Sequence, residues 1–275
     1  MAPFCPNLSN KKVREKFEEL TDIFGEDIAY FLWGKNGGYP LDYAPNGAPS
    51  ILFKSLMDHY SDRKQALIAK AKVYSSNFKD WFGDWTKEDK TDVSKVVDEN
   101  GEPLVRYHET NKNIIEFDAN RSNNGYGDIE TPIGIFTKEN PNSIFDNKNI
   151  QMPVFVKANN ILKFNTRKEA YDYFSEHISS YREMVEYIKH LDNDDPFLIE
   201  SEASYEIGED VKKLITKYLK ESGFDGFELV NDEGISSLGV SNVHTIVVFN
   251  PNQIKSATDN NDEFSKQDDN IYHNI

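Results

Sequence analysis

Residues 95–110 read KVVDENGEPLVRYHET, and the fold class turns on them. Upstream, apolar residues recur every three or four positions; from Lys95 the pattern changes to short strands and turns. Val96-Val97 leads into Asp98-Glu99-Asn100-Gly101, and Pro103-Leu104-Val105-Arg106-Tyr107-His108 follows as a second strand. Asp, Asn and Gly favour tight turns, so the stretch predicts a β-hairpin where a helical region gives way to strands.

The helical side of this boundary is regular. In Asn10-KKVREKFEELTDIF the residues Val13, Phe17, Leu20, Ile23 and Phe24 share one face, and Asn10 is placed to cap the start. Gly34-KNGGYPLDYAPNGAPS is too rich in Gly, Pro and Asn for anything but a loop. Helical patterning resumes over Ile51–Tyr60 and Ser61–Ser76, with Asp62, Arg63 and Lys64 in the first turn of the latter. Phe78-KDWFGDW closes the helical part: its four aromatics read as core or as a partner-binding patch.

On the other side, Gly134-IFT, Pro153-VFVKA, Ile161-LKF, Gly226-FELV and His244-TIVVF read as strands, with amphipathic helices over Arg167–His190 and Gly208–Ser222. This order predicts an α+β fold. Asp192, Asp194, Asp195, Glu200, Glu202, Glu206, Glu209 and Asp210 lie between Lys189 and Lys212 with no basic residue, as in an acidic solvated insertion. The polar tail after Thr258 reads as loosely ordered, and no internal repeat is present.

A chain of 275 residues with 38% hydrophobic content is helped by 18 Phe, 14 Tyr and 3 Trp, enough bulky area for a packed core. Its net charge of -16 repels phosphate backbones and argues against a general nucleic-acid partner, although a local basic groove stays open. Cys5 is the only cysteine, which excludes an intramolecular disulfide and Cys-rich metal sites and fits a reducing compartment. No apolar run reaches the roughly 20 residues of a membrane span, and the start lacks the apolar core of a secretory signal. The expectation is a soluble, non-secreted protein with no membrane partner.

The common nucleotide, zinc-protease and serine-hydrolase motifs are missing. Asp192, Asp194 and Asp195 lack the glycine and terminal glutamate of a calcium loop. His59, His177, His190 and His273 fall in helical or tail settings, where a surface role is expected, and His244 opens a strand, a structural position. His108 stands at a strand end before Glu109, Thr110 and a polar turn, where pockets form; a satisfied histidine beside a turn is the plain alternative.

Five segments in series carry a resemblance: Arg106-Tyr-His-Glu-Thr, Phe117-Asp, Gly134-Ile-Phe-Thr, Phe224-Asp-Gly-Phe and Val248-Phe-Asn-Pro-Asn-Gln-Ile-Lys-Ser-Ala-Thr-Asp-Asn. Together, with the closing Asp268-Asp-Asn-Ile-Tyr, they resemble the ADP-ribosyltransferase-like domain of phage and mobile-element polyvalent proteins. The helices ahead of them, with Phe78-KDWFGDW, resemble proteins of crAss-like phages of gut Bacteroidales. The resemblance implies a helical region over 1–76 and, over 77–275, a transferase-like domain with a split, mostly antiparallel sheet.

It also implies NAD as substrate, no metal, a host-protein acceptor, and work in the bacterial host cytoplasm or carriage in the virion. His108 matches the family's ribose anchor, with Thr110 after it and Glu109 where the motif has a glycine. Gly134 begins the segment in which Phe136 stands for the usual nicotinamide-stacking tyrosine. Gln253 falls where many transferases place a glutamate at the ribose, and an amide brings no negative charge. Arg106 alternates with His108 and either binds the pyrophosphate or pairs with an acid. Lys255 pairs with a phosphate or is a solvated strand-end lysine. Asp225-Gly226 and Asn231-Asp-Glu-Gly234 read as turns, with Asp232 or Glu233 as an alternative source of the acid. The implied function is a mono-ADP-ribosyltransferase; the alternatives are a weak or inactive binding module of the same fold, or an NAD glycohydrolase in which water replaces the acceptor.

Overall fold

The computed structural model describes residues 4–120, 131–140, 150–194, 202–232 and 243–272. The chain is α+β and divides into two compact units. One holds the first 105 residues, 153–157 and 254–275; the other holds 106–152 and 158–253.

The first unit is mainly helical. Helix α1 (Lys11–Phe24) starts where the Asn10 side chain accepts the N–H groups of Lys12 and Val13, and it ends at Gly25, whose φ of +82° suits only glycine. α2 (Glu26–Lys35) follows at once, then α3 (Ile51–Tyr60), α4 (Arg63–Lys72) and α5 (Ser76–Phe82). Asp62 caps α4 by accepting from Lys64, so it lies just outside the helix rather than in its first turn. Phe78, Trp81, Phe82 and Trp85 are all buried, which makes the aromatic run core. Phe78 meets Phe82, Phe155 and Phe264 at ring separations of about 5 Å.

At the sequence boundary the hairpin forms, but with a single bridge, Val97 to Pro103. The Asp98 carboxylate accepts the N–H groups of Asn100 and Glu102, and Gly101 takes a φ of +78°. Glu102 is drawn into the core, where it pairs with Lys70 at 2.7 Å and accepts from Ser50 at 2.6 Å. In this unit β3 (Ile150–Val156) pairs antiparallel with β7 (Ile254–Ser256). Residues 259–272 of the tail are packed, contrary to their composition: Phe264 and Ile271 are buried apolar anchors, and Asn260 donates to the Ile271 carbonyl.

The second unit carries strands in the order β4-β5-β6-β2-β1. These are β1 (Val105–Thr110), β2 (Ile135–Lys138), β4 (Ile161–Thr166), β5 (Gly226–Asp232) and β6 (Val243–Val248). Among the described strand pairs only β4 and β5 run parallel, and the crossover between them carries α6 (Arg167–His177), α7 (Tyr181–Asp194) and α8 (Glu202–Glu221). The one helix expected over Arg167–His190 is therefore two, parted at Ile178, whose extended backbone ends α6. Alternate strand residues Phe164, Phe227, Leu229 and Val247 pack with Phe174, Val185, Ile215 and Leu219 of the helices into one core. Much of the acidic stretch, with His273, Glu233 and Gly234, lies outside the described residues. No described helix is long and apolar enough to cross a membrane.

Candidate active site

β1 carries the first motif. Its Tyr107 lies opposite Lys138 of β2, which sets Arg106 and His108 on one face of the sheet with Thr137, and Glu109 on the other with Lys138 and Phe136. Arg106 is fully buried, its Nη2 donating to the carbonyls of Thr137 at 3.1 Å and His244 at 2.6 Å. Its Nε and Nη1 have no hydrogen-bond partner among the described residues, and burial pulls the guanidinium down to about 10 despite Glu139 and Glu228 nearby.

The His108 ring is half-buried. Nδ1 lies 2.8 Å from the Phe136 carbonyl, which can only accept, so Nδ1 holds the proton and Nε2 presents a lone pair. Desolvation lowers the histidine below its ordinary range, offsetting the favourable bond to Phe136, so the ring is neutral near pH 7. Its edge meets Phe117 with centroids 4.7 Å apart and planes at 80°. The Phe136 ring itself turns to the helix-covered core, so its backbone rather than its aromatic face meets His108.

Glu109 pairs with Lys138 at 2.6 Å, so the carboxylate in place of the motif glycine is neutralised where it stands. Thr110 accepts the Lys112 N–H. At Gly134 a Cβ would come within 2.5 Å of the Val248 carbonyl oxygen and 2.7 Å of Val247 Cγ1; the glycine lets β2 and β6 approach. Gly226 opens β5 instead of the turn expected there, and it is likewise a matter of space: an added Cβ would lie 3.2 Å from Ala158 and Ile161, at a φ that is not positive. Asp225 accepts the N–H groups of Asn159 and Asn160, each at 2.8 Å, and so fixes the entry to β4. His244 bonds Glu228 at 2.9 Å, and Glu228 also holds Lys163 at 2.7 Å.

Gln253 ends a 3-10 turn, Pro251–Gln253. Its Oε1 accepts the backbone N–H groups of Phe249 and Asn250 at 3.0 and 2.9 Å, and its Nε2 donates to the Asp225 carbonyl at 2.8 Å. The amide thus ties the Phe-Asp-Gly-Phe segment to the Phe-Asn-Pro-Asn-Gln segment. Lys255 lies in the first unit, fully buried, its ammonium on the carbonyls of Asp268 and Asn270; a solvated lysine it is not.

A cavity of about 530 Å³ lies next to two of these residues, His108 and Gln253, each of which touches its lining without being part of it. One lining segment is Glu116–Asn120, braced through Phe117 by His108; the other is Phe249–Pro251, braced by Gln253, with Lys220 of α8 beside it. Its size is in the range of roughly 300–1,000 Å³ common for small-molecule sites. Lys220 and Phe249 were not singled out in the sequence, although Lys220 alone of the α8 lysines after Lys212 has no carboxylate three or four positions away. No group of three or more His, Cys, Asp or Glu that could hold a metal occurs among the described residues.

The sequence model of one family, described as ADP-ribosyltransferase in polyvalent proteins, matches residues 98–264. The chain belongs to this family of ADP-ribosyltransferases. The match to the polyvalent-protein transferases opens at the Asp98 turn and takes in β1, the cavity and Gln253. No curated protein and no solved structure matches the chain.

Proposed function

We propose that the protein is an NAD-dependent mono-ADP-ribosyltransferase of phage origin, acting on a host protein, and that the cavity between Phe117 and Phe249 receives NAD. The observation that supports this reading is that His108 and Gln253, from motifs far apart in the sequence, each stand directly behind one lining segment of the same cavity. The proposed domain runs from residue 77 onward, with 1–76 as a helical region ahead of it. The family match supports transferase chemistry; NAD, the phage source and the host acceptor are this reading's additions.

In this account Nε2 of neutral His108 accepts a hydrogen bond from a ribose hydroxyl as NAD enters. The bond between nicotinamide and C1′ breaks, nicotinamide leaves with the bonding electrons, and an acceptor nucleophile forms the new bond to C1′ and loses its proton. Loss of nicotinamide develops positive charge on the ribose, which preorganised dipoles stabilise. Gln253 keeps its ribose role only if its amide leaves the Phe249 and Asp225 backbone, so it is better cast as the brace of the wall. Arg106, Lys255 and Gly134, all tightly packed, contribute through the fold; Glu109, Thr110 and Phe136 border His108.

The commitment of the Gln253 amide also favours a second reading, a weak or inactive binding module. Incubating the full chain with NAD and a bacterial lysate separates the cases by mass spectrometry. Labelled protein supports the transferase, free ADP-ribose a glycohydrolase, and neither product the binding module.

A further inference from the structure

We propose that Lys220 is the diphosphate anchor of the cavity and that Glu116 and Asp118 take the cationic ring of the same ligand, so that a dipolar dinucleotide lies across it in one direction. This rests on the reading of the cavity as an NAD site and adds the residues that orient the ligand.

Lys220 differs from its neighbours on α8. Lys213 reaches Glu209 at 2.9 Å and Lys217 reaches Glu221 at 3.9 Å, whereas Lys220 has no carboxylate partner among the described residues. Its ammonium stands 5.8 Å from the centroid of Phe249, a cation–π contact that holds the charge at the cavity wall. In a chain of net charge -16, an anion needs such a local cation to be retained.

The other lining segment has the opposite sign. Glu116 and Asp118 are exposed on it, and Asp118 Oδ1 is taken by the Asn120 N–H at 3.0 Å. Phe117 and Phe249, both buried, are the aromatic members of the lining. A purely anionic ligand would meet repulsion from the two carboxylates, and a neutral one would use neither pole. A dinucleotide with a diphosphate and a pyridinium ring uses both.

The test is calorimetry on the full chain with ADP and, separately, nicotinamide riboside, which has the cationic ring and no phosphate. Lys220→Gln is expected to weaken ADP about tenfold and leave nicotinamide riboside unchanged. Glu116→Gln with Asp118→Asn is expected to weaken nicotinamide riboside and tighten ADP. Lys217→Gln, on the same helix but off the cavity, changes neither. No ADP binding to the unaltered chain, or equal effects of Lys220→Gln and Lys217→Gln, overturns the proposal. ADP binding that depends on Lys220 without any consumption of NAD leaves the inference standing and removes the transferase reading. NAD consumption indifferent to Lys220 does the reverse.

Discussion

Nδ1 of His108 lies 2.8 Å from the carbonyl oxygen of Phe136, and that one contact fixes which nitrogen of the ring is offered to a ligand. Because burial holds the folded-state value below the ordinary 6.5, folding favours the neutral ring. The stability this contributes is full above pH 6.5 and is lost as pH falls through the lower folded value. Urea unfolding at pH 7 and pH 5 is expected to show a larger acid loss for the unaltered chain than for His108→Gln. Equal losses would deny the lowered value.

Gln253→Ala removes the acceptor of two backbone N–H groups and a donor to the Asp225 carbonyl, and is expected to cost about 1–3 kcal/mol in unfolding free energy. As a brace of the cavity wall it is expected to raise KM for NAD more than it lowers kcat. A fall in kcat at unchanged KM would instead put the amide on the reacting ribose.

Lys70 and Glu102 form an ion pair with both side chains fully out of solvent. Lys70→Ala strands the buried carboxylate beside Ser50, and about 3–5 kcal/mol of stability is expected to go with it. Lys70→Met combined with Glu102→Leu is expected to recover most of the loss by denaturant titration, since no charge is then left unpaired.

Gly134→Ala is expected to destabilise the chain by about 1–3 kcal/mol, because the added methyl meets the Val248 carbonyl at 2.5 Å. Thermal unfolding reads this directly. A neutral result would return the glycine to a role in ligand contact.

The sequence made the elements legible wherever the pattern was local. Asn10 as a cap, the Asp98–Gly101 turn and six of the described strands, β1 to β6, follow from neighbours a few residues apart. The tail misled because its order depends on Phe264 and Ile271, two apolar residues whose partners are far along the chain. At the site, the motifs did not carry the direction of side chains. Glu109 and Phe136 lie on the face away from His108, a consequence of register that a strand read alone does not carry. Gln253 reads as a ligand group until the Phe249 and Asp225 backbone comes to it. Lys220 sits in no motif and is marked only by missing a partner at helical spacing.

The most direct measurement is a calorimetric titration of the full chain with NAD, run beside His108→Ala with both shown to be folded by circular dichroism. Saturable binding by the unaltered chain and its loss in the variant are expected, because the Nε2 acceptor and the support of Phe117 go together. Unchanged affinity in His108→Ala, or no binding by either chain, would contradict it.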